Sequence, residues 1–381
     1  MRYRAGIGAA LSLMLVTAPG IHTVPAAEQG PSYDQSAIAR RGYFYVGGSY
    51  VGEPGKRVMH GQMYVEVLTP REPRHRYPLV LIQGAAQTAT NWLGTPDGRP
   101  GWADFFVGQG YTVYMVDQPA RGRSAWQPEV DGKLTAFPAE RIEQLFTAPE
   151  VSGNWPQAKK HTQWPGGGHI GDPAFDAFYA TQVQYLGDNV ETQRLNQQAG
   201  APLLDRIGPA IVLTHSQSGP FGWLIADARP HLVKAIVAVE PAGPPFEDTV
   251  LREGPARPWG LTDIPMTYNP PAADPTELKG EQQEAPDAAD LARCREQRPP
   301  ARRLSNLAGV PVLVVTAEAS YHSVYDHCTV KYLSQAGVDV TGMRLADHGV
   351  HGNGHMVMIE KNNLEIAALL ADWLSHTVTE H

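Results

Sequence analysis

A serine stands where an apolar strand-like run meets a helix-like segment. Residues 211–220 read IVLTHSQSGP, so three apolar residues lead into Thr-His-Ser-Gln-Ser-Gly, and a proline suited to a first helical turn follows. A serine on a tight strand-to-helix turn can act as a nucleophile when small residues stand two positions before and after it. Thr214 and Ser218 occupy those positions, and Gly219 comes one residue later. The pattern therefore predicts Ser216 as a nucleophile, with a plain strand-to-helix turn as the alternative.

A serine is a poor nucleophile without a base, and histidines near the C-terminus could supply one. The segment LADHGVHGNGHMVMIEKNN contains His348, His351 and His355. His355 lies in a glycine-rich loop directly before an apolar segment and the last predicted helix, and we expect it to be the base. Histidines that cap turns are the structural alternative. We expect no metal, because this loop does not offer the defined ligand geometry of a helix or hairpin.

A carboxylate must orient the imidazole and offset its positive charge. Three candidates lie at or shortly after the ends of predicted strands: Glu240 is the last residue but one of KAIVAVEP, Glu318 ends VPVLVVTAE, and Asp326 comes shortly after. A carboxylate at the tip of a buried strand is unfavourable without a partner, and a histidine would supply one. A structural arginine partner is the alternative for Glu240, so the residues alone leave the choice of acid open.

The oxyanion formed in acyl transfer needs backbone amides placed close to it. The turn Gln83-Gly84-Ala85-Ala86 follows an apolar run and consists mostly of small residues, which allows a close approach of the backbone. We expect the amides of Ala85 and Gln217 to be the two donors.

Several motifs that carry these candidates occur in order along the chain. They are Gln83-Gly84, Thr88, Trp92, TPDGRPGW, DQPARGRS, THSQSG, AVEPAG and GVHGNGHMVMIEKNN. Together they resemble the bacterial esterases of the 713 type, a small branch of the α/β-hydrolase superfamily. The resemblance implies a Ser-Glu-His triad with the acid after the sixth strand, so it ranks Glu240 above Glu318. The chain departs from the pattern at Ala85-Ala86, where those esterases tend to carry cysteines.

Continuous apolar runs that alternate with helical patterns predict a mostly parallel central sheet flanked by helices, the α/β-hydrolase fold. The predicted strands cover 41–51, 62–70, 77–84, 111–118, 209–216, 234–241, 310–318 and 338–346. Two stretches interrupt the alternation, at about 127–200 and about 243–303. We predict a single domain over 27–381, with the first stretch as a cap over the cleft and the second as a lid or surface excursion.

The first 26 residues have the pattern of a secretory signal peptide. Arg2 and Arg4 precede a short apolar stretch, and small residues follow at the expected cleavage site. We therefore expect an exported protein, periplasmic or secreted, without stable membrane insertion; an uncleaved N-terminal anchor is the alternative. Export makes a disulfide between Cys294 and Cys328 one possibility and two buried thiols the other.

Composition narrows the classes of function. The chain has 381 residues, a net charge of −8 and no long basic run, so a nucleic acid is not an expected partner. The leading hypothesis is a serine hydrolase that cleaves carboxylic esters through an acyl-enzyme, without a cofactor. A lactonase or amidase with the same triad is an alternative, and a catalytically silent binding protein is another. Four tryptophans favour an apolar, aromatic-lined cleft for a small-molecule ester, with ordinary core residues as the alternative; they are Trp92, Trp126, Trp155 and Trp164. The oligomeric state stays open.

Overall fold

Eight strands form one central sheet in the computed structural model, which describes residues 31–250, 252–278 and 280–378. The predicted signal peptide at 1–26 lies outside the described residues. The strands are β1 (Ile38–Val51), β2 (Val58–Pro70), β3 (Leu79–Ile82), β4 (Val113–Asp117), β5 (Ala210–His215), β6 (Val233–Val239), β7 (Val312–Thr316) and β8 (Val340–Arg344). Their order is β1-β2-β4-β3-β5-β6-β7-β8. The β1–β2 and β2–β4 pairs are antiparallel and the others are parallel, which confirms the predicted mostly parallel sheet.

Alternate side chains of the central strands enter two separate hydrophobic cores. In β3, Leu79 and Leu81 belong to one core, whereas Val80 and Ile82 belong to the other. Strands β5, β6 and β7 divide their residues in the same way. A strand that is buried on both faces needs apolar residues at every position, which explains the continuous apolar runs in the sequence.

Helices cover both faces of the sheet. They are α1 (Trp102–Gly108), α2 (Ala139–Ile142), α3 (Pro149–Ser152), α4 (Pro173–Tyr179), α5 (Asn189–Ile207), α6 (Gly219–Ala228), α7 (Asp326–Gln335) and α8 (Asn363–Thr377). Trp102 of α1 and Leu370 of α8 enter one core, while Leu203 of α5, Phe221 of α6 and Tyr332 of α7 enter the other. None of the helices within the described ranges is both long and apolar enough to cross a bilayer.

Two excursions leave this framework at the carboxyl ends of the strands. The first lies between β4 and α5 and contains α2 to α4 and a short ribbon that pairs Leu134–Thr135 with Tyr185–Leu186. Helix α5 begins inside the stretch predicted as a cap, but it packs against β1 and α6 as part of the helical layer. The second excursion, between β6 and β7, contains three short ribbons.

Cys294 and Cys328 form a disulfide, with their Cα atoms 5.1 Å apart. The bridge ties the second excursion to α7, because Cys328 lies in the first turn of that helix. Of the two alternatives for these cysteines, the structure therefore has the bridged form.

Candidate active site

Ser216 occupies a strained turn between β5 and α6. Its φ is +56°, a left-handed conformation that non-glycine residues rarely adopt, and its side chain is partly exposed. The helix starts close to the neighbouring strand: a Cβ placed on Gly219 would lie 2.4 Å from Pro241 Cβ. Glycine is therefore required three residues after Ser216, which accounts for its position in the sequence.

Ser218 and Thr214 fit the two positions where this kind of turn usually has glycine. The Ser218 hydroxyl accepts a hydrogen bond from the His215 N–H at 2.8 Å and donates to the carbonyl of Ile82 in β3 at 2.7 Å. The Thr214 side chain fits because Gly222 of α6, which faces it, has no side chain. A Cβ on Gly222 would lie only 3.0 Å from Thr214 Cγ2. The Ser218 side chain thus holds the turn to β3. Gly222, in α6, leaves the space that Thr214 occupies.

Glu240 and His355 meet at the carboxyl edge of the sheet. Glu240 follows β6 with a φ of +47°, and its Oε2 lies 2.6 Å from His355 Nδ1. The Ala317 N–H donates to Glu240 Oε1 at 2.8 Å, and the Ser320 hydroxyl donates to Oε2 at 2.7 Å. Both partners of the pair are buried. The carboxyl group is thus fixed by three donors, one of which is the imidazole.

The other nitrogen of His355 faces a tyrosine that also contacts the nucleophile candidate. Tyr321 Oη lies 3.3 Å from His355 Nε2, and the side chain of Ser216 is close enough to the same hydroxyl to lower its pKa, against the larger upward effect of burial. Aromatic rings enclose the imidazole: Phe146 stacks at 5.0 Å between centroids, and His322 lies parallel at 4.9 Å. His355 is therefore oriented by packing as well as by Glu240.

The loop that carries His355 is anchored by a buried carboxylate. Glu360 accepts hydrogen bonds from the Gly354 N–H at 2.9 Å and from Asn353 Nδ2 at 2.7 Å. Glu360 also lies 2.9 Å from His161 Nε2, while His161 Nδ1 is 2.8 Å from Glu150. A histidine of the first excursion thus connects this loop to the region of α3.

A buried arginine links the turn after β3 to the Ser216 turn. Arg121 donates from Nη1 to the Gly84 carbonyl at 2.8 Å and from Nη2 to Gln217 Oε1 at 3.0 Å. Ala85 and Gln217 are both partly exposed, and the next residue in the first turn, Ala86, has a φ of +59°. Burial lowers the pKa of Arg121 to about 10, so it stays charged at neutral pH. This cation therefore connects the turn that contains Ala85 to the side chain of Gln217.

The competing acid candidates contact other partners. Glu318 is bound by Lys160 Nζ at 3.0 Å and by the Gly352 N–H at 3.1 Å, and it lies 3.2 Å from His351 Nδ1. Asp326 instead pairs with His322 Nδ1 at 2.8 Å. Neither contacts His355 in the structure.

The three histidines of the C-terminal segment are not gathered at one point. His348 is exposed, His351 lies beside Glu318, and His355 faces Glu240. Among the described residues, Glu240, His322 and His355 do have ligand atoms within 4.8 Å of one another. The Nδ1 atoms of both histidines are already engaged by carboxylates, which leaves Nε2 of each ring as the remaining ligand atom.

Burial makes the titratable groups around His355 resist charging. It lowers the pKa of His322 to about 4 and that of His215 to about 3. Burial, with the neighbouring His215 and His322, lowers the pKa of His355 well below its ordinary value. It also raises the pKa of Glu240 to about 8, whereas the donors Ser320 and Ala317 favour the carboxylate. An uncharged His355 with its proton on Nδ1 can accept a proton at Nε2.

A cavity of about 490 Å³ opens onto these groups and is large enough for a small organic molecule. Ser216, Ala85, Gln217 and His355 all line it. Of the four tryptophans that the sequence analysis associated with a cleft, none lines the cavity; Trp92, Trp155 and Trp164 are buried in the core and Trp126 is at the surface.

Sequence reasoning missed several residues of this site. The sequence patterns do not single out Tyr321, His322, Phe146 or Arg121. Arg121 lies within the motif DQPARGRS. Tyr321 and His322 lie in the run SYHSVYDH, which begins four residues after the end of β7, at the same sheet edge as the nucleophile candidate.

Comparison with known proteins places the chain in a family. It is 52% identical over 334 residues to the probable secreted lipase phiG of a fungal species (strain ATCC 74256), covering 87% of this chain and 88% of that protein. The chain belongs to the α/β-hydrolase superfamily, in its esterase and lipase branch. No protein-family model matches it.

A solved structure has the same fold as this α/β-hydrolase. It is described as the atomic resolution structure of a novel bacterial esterase, and it superposes with a TM-score of 0.62 at 24% identity. The match covers 93% of this chain and all of the other. The predicted α/β-hydrolase fold is confirmed.

Proposed function

We propose that this α/β-hydrolase cleaves carboxylic esters with Ser216 as nucleophile, His355 as general base and acid, and Glu240 as the residue that orients the imidazole. The amides of Ala85 and Gln217 are the proposed oxyanion donors. The observation that carries the proposal is the buried 2.6 Å contact between Glu240 and His355 Nδ1. The other nitrogen of that ring, Nε2, lies beside the Tyr321 hydroxyl, which is also close to Ser216. The identity to a probable secreted lipase supports the same class of reaction.

The reaction proceeds in two half-reactions. Ser216 Oγ attacks the ester carbonyl carbon while its proton passes to His355 Nε2, and the amides stabilise the negative carbonyl oxygen. The imidazolium, held by Glu240, returns that proton to the departing alcohol, which leaves an acyl-enzyme. Water, deprotonated by His355, then attacks the acyl carbon and releases the acid and the serine. In the structure, Ser216 and His355 Nε2 both lie beside the Tyr321 hydroxyl. The cycle requires Ser216 Oγ to hydrogen-bond directly to His355 Nε2 in the substrate complex.

Export belongs to the same proposal. The predicted signal peptide at 1–26 and the secreted relative both support a protein that acts outside the cytoplasm, as one hydrolase domain over 27–381.

The first excursion is proposed as a cap over the cavity. Residues of this excursion, Phe137 and Phe146 among them, line the cavity and support that role.

The test compares the exported protein with Ser216→Ala on 4-nitrophenyl butyrate. We expect a loss in kcat of about 10⁴ or more, because the nucleophile is removed while the fold is kept. Ser375→Ala, an exposed hydroxyl on α8, is the matched control and should keep full activity. Equal turnover by wild type and Ser216→Ala would reject the assignment.

Labelling separates a catalyst from a silent relative. A fluorophosphonate should modify the wild type at Ser216 and leave Ser216→Ala unmodified; no labelling of the folded wild type would favour a binding protein. A lactone and an amide of equal acyl length, assayed at the same concentration, test the alternative leaving groups.

A further inference from the structure

The cavity beside Ser216 is lined by more cations than anions, although the chain as a whole carries a net charge of −8. Its charged lining residues are Arg141, Arg252, Arg257 and Asp248. The buried Glu240 lies behind His355 and is not part of the lining. The catalytic face therefore presents a local excess of positive charge on a negatively charged protein, and such a cleft attracts anions.

One of the three arginines has a structural role. Arg257 is buried, donates from Nε to the Pro244 carbonyl at 2.8 Å, and pairs with Asp248 at 2.7 Å. It also donates to the Glu247 carbonyl. These contacts hold the start of the second excursion, and the Asp248 carboxylate offsets the charge of Arg257.

The other two arginines come from different excursions and approach the cavity separately. Arg141 lies in α2, is half-buried and donates from Nη1 to Gln144 Oε1 at 3.5 Å. It also acts electrostatically on Tyr321, the tyrosine that contacts His355. Arg252 is exposed and acts on Tyr185, another lining residue. Asp248, the acidic residue of the lining, is already paired with Arg257.

We propose that the preferred substrates are anionic esters, in which the acyl or the alcohol part carries a carboxylate that Arg141 and Arg252 recognise. The proposal rests on the ester hydrolysis proposed above and names its substrate class. A guanidinium binds a carboxylate through charge-assisted and often bidentate hydrogen bonds, which makes arginine better suited to this role than lysine.

Matched ester pairs of similar size test the proposal. Mono-4-nitrophenyl adipate and 4-nitrophenyl hexanoate differ by a carboxylate in the acyl part, while 4-acetoxybenzoate and 4-tolyl acetate differ by one in the alcohol part. We expect at least one anionic member to have a kcat/KM about tenfold above that of its neutral partner at low salt. The preference should shrink as salt screens the charges.

Substitutions locate the source of any preference. Arg141→Gln and Arg252→Gln, alone and combined, should reduce the anionic-to-neutral ratio of kcat/KM, because they lower kcat/KM for the anionic esters more than for the neutral ones. The matched control is Arg40→Gln, which removes the same charge from an exposed position in β1, away from the cavity. A ratio near one in the wild type, or a ratio that the double variant retains, would overturn the proposal.

Binding separates this proposal from the reaction itself. Calorimetry of Ser216→Ala with methyl hydrogen adipate measures recognition of the anion without turnover. Binding that weakens about tenfold in the Arg141→Gln/Arg252→Gln background supports the charge recognition, even if none of the esters is hydrolysed by the wild type. Hydrolysis of neutral esters with no arginine-dependent binding would retain the esterase and reject the anionic substrate.

Discussion

Glu240 Oε2 lies 2.6 Å from His355 Nδ1, so the tip of β6 directly contacts the ring on the loop after β8. The same tip is attached to the nucleophile turn, because the Ala242 N–H donates to the Ser216 carbonyl at 2.9 Å. The Glu240 N–H donates to the Val315 carbonyl of β7. One short segment therefore sets the positions of Glu240 and Ser216 relative to each other.

Glu240→Gln should lower kcat by about 10⁴, as the loss of the orienting acid does in the serine hydrolase triad. The Ala317 N–H faces Oε1 of Glu240, so the carbonyl oxygen of glutamine would take that place and its NH₂ would face His355 Nδ1. An NH₂ group there requires Nδ1 to accept, which moves the imidazole proton to Nε2 and removes the base.

The matched variant is Glu318→Gln. It neutralises a carboxylate that follows the neighbouring strand β7 and pairs with Lys160. We expect its kcat to stay within about threefold of wild type. Steady-state kinetics on the same ester compares the two variants. If Glu318→Gln were the inactive one, the assignment of Glu240 would be wrong.

Gly219→Ala should damage both stability and catalysis. The added Cβ would lie 2.4 Å from Pro241 Cβ, and Pro241 directly follows Glu240. Because the backbone of β6 and α6 must separate, we expect a loss of about 1–3 kcal/mol in the free energy of unfolding. The displaced Glu240 should lower kcat more than it raises KM.

Gly309→Ala is the control for that substitution, since a Cβ at Gly309 would meet no atom within 4 Å. Urea unfolding and steady-state kinetics on both variants give the two readouts. An unaltered midpoint and unaltered kcat in Gly219→Ala would show that the helix and strand can separate without consequence.

Removing the disulfide should destabilise the protein with little change in the chemistry. Cys294 and Cys328 are separated by 34 positions, and releasing a loop of that size in the unfolded chain lowers stability by about 2–4 kcal/mol. Cys294→Ser/Cys328→Ser should therefore have a lower Tm than the wild type under oxidising conditions. Reduced wild type should unfold like the double variant; identical Tm values for the oxidised wild type and the variant would contradict the expectation.

The strands of the sheet could be predicted because their burial leaves a local trace. A strand such as β3, with Val80 and Ile82 in one core and Leu79 and Leu81 in the other, must be apolar at every position. The start of α5 at Asn189 was harder to place, because it follows directly on the irregular first excursion.

The partners within the site depend on contacts between distant positions. Glu240 and Glu318 both end apolar strands, and only the tertiary structure separates a carboxylate that faces His355 from one that faces Lys160. Tyr321 lies in the run SYHSVYDH, but its contact with His355 spans 34 positions, so the run by itself does not indicate that partner. The arginines of the cavity come from two excursions whose folding no periodicity describes.

His161 should make stability fall as the pH rises from about 6 to 9. Burial alone would lower its pKa, but hydrogen bonds to Glu150 and Glu360 raise the pKa to about 9, above the ordinary value of 6.5. The folded state thus binds a proton that the unfolded state releases near pH 6.5. The resulting stabilisation is complete below that pH and is lost as the pH passes 9.

The shift corresponds to about 3 kcal/mol of unfolding free energy between pH 6 and 9, measured by urea unfolding at each pH. His161→Gln removes the titrating group and should flatten that part of the profile. The exposed His376, which lies at the end of α8, provides the control His376→Gln, which should leave the slope unchanged. Because Glu360 also holds the backbone of Gly354, His161→Gln should weaken the loop of His355 and lower kcat at neutral pH. A wild-type profile with no decline over this range would contradict a charged His161 in the folded protein.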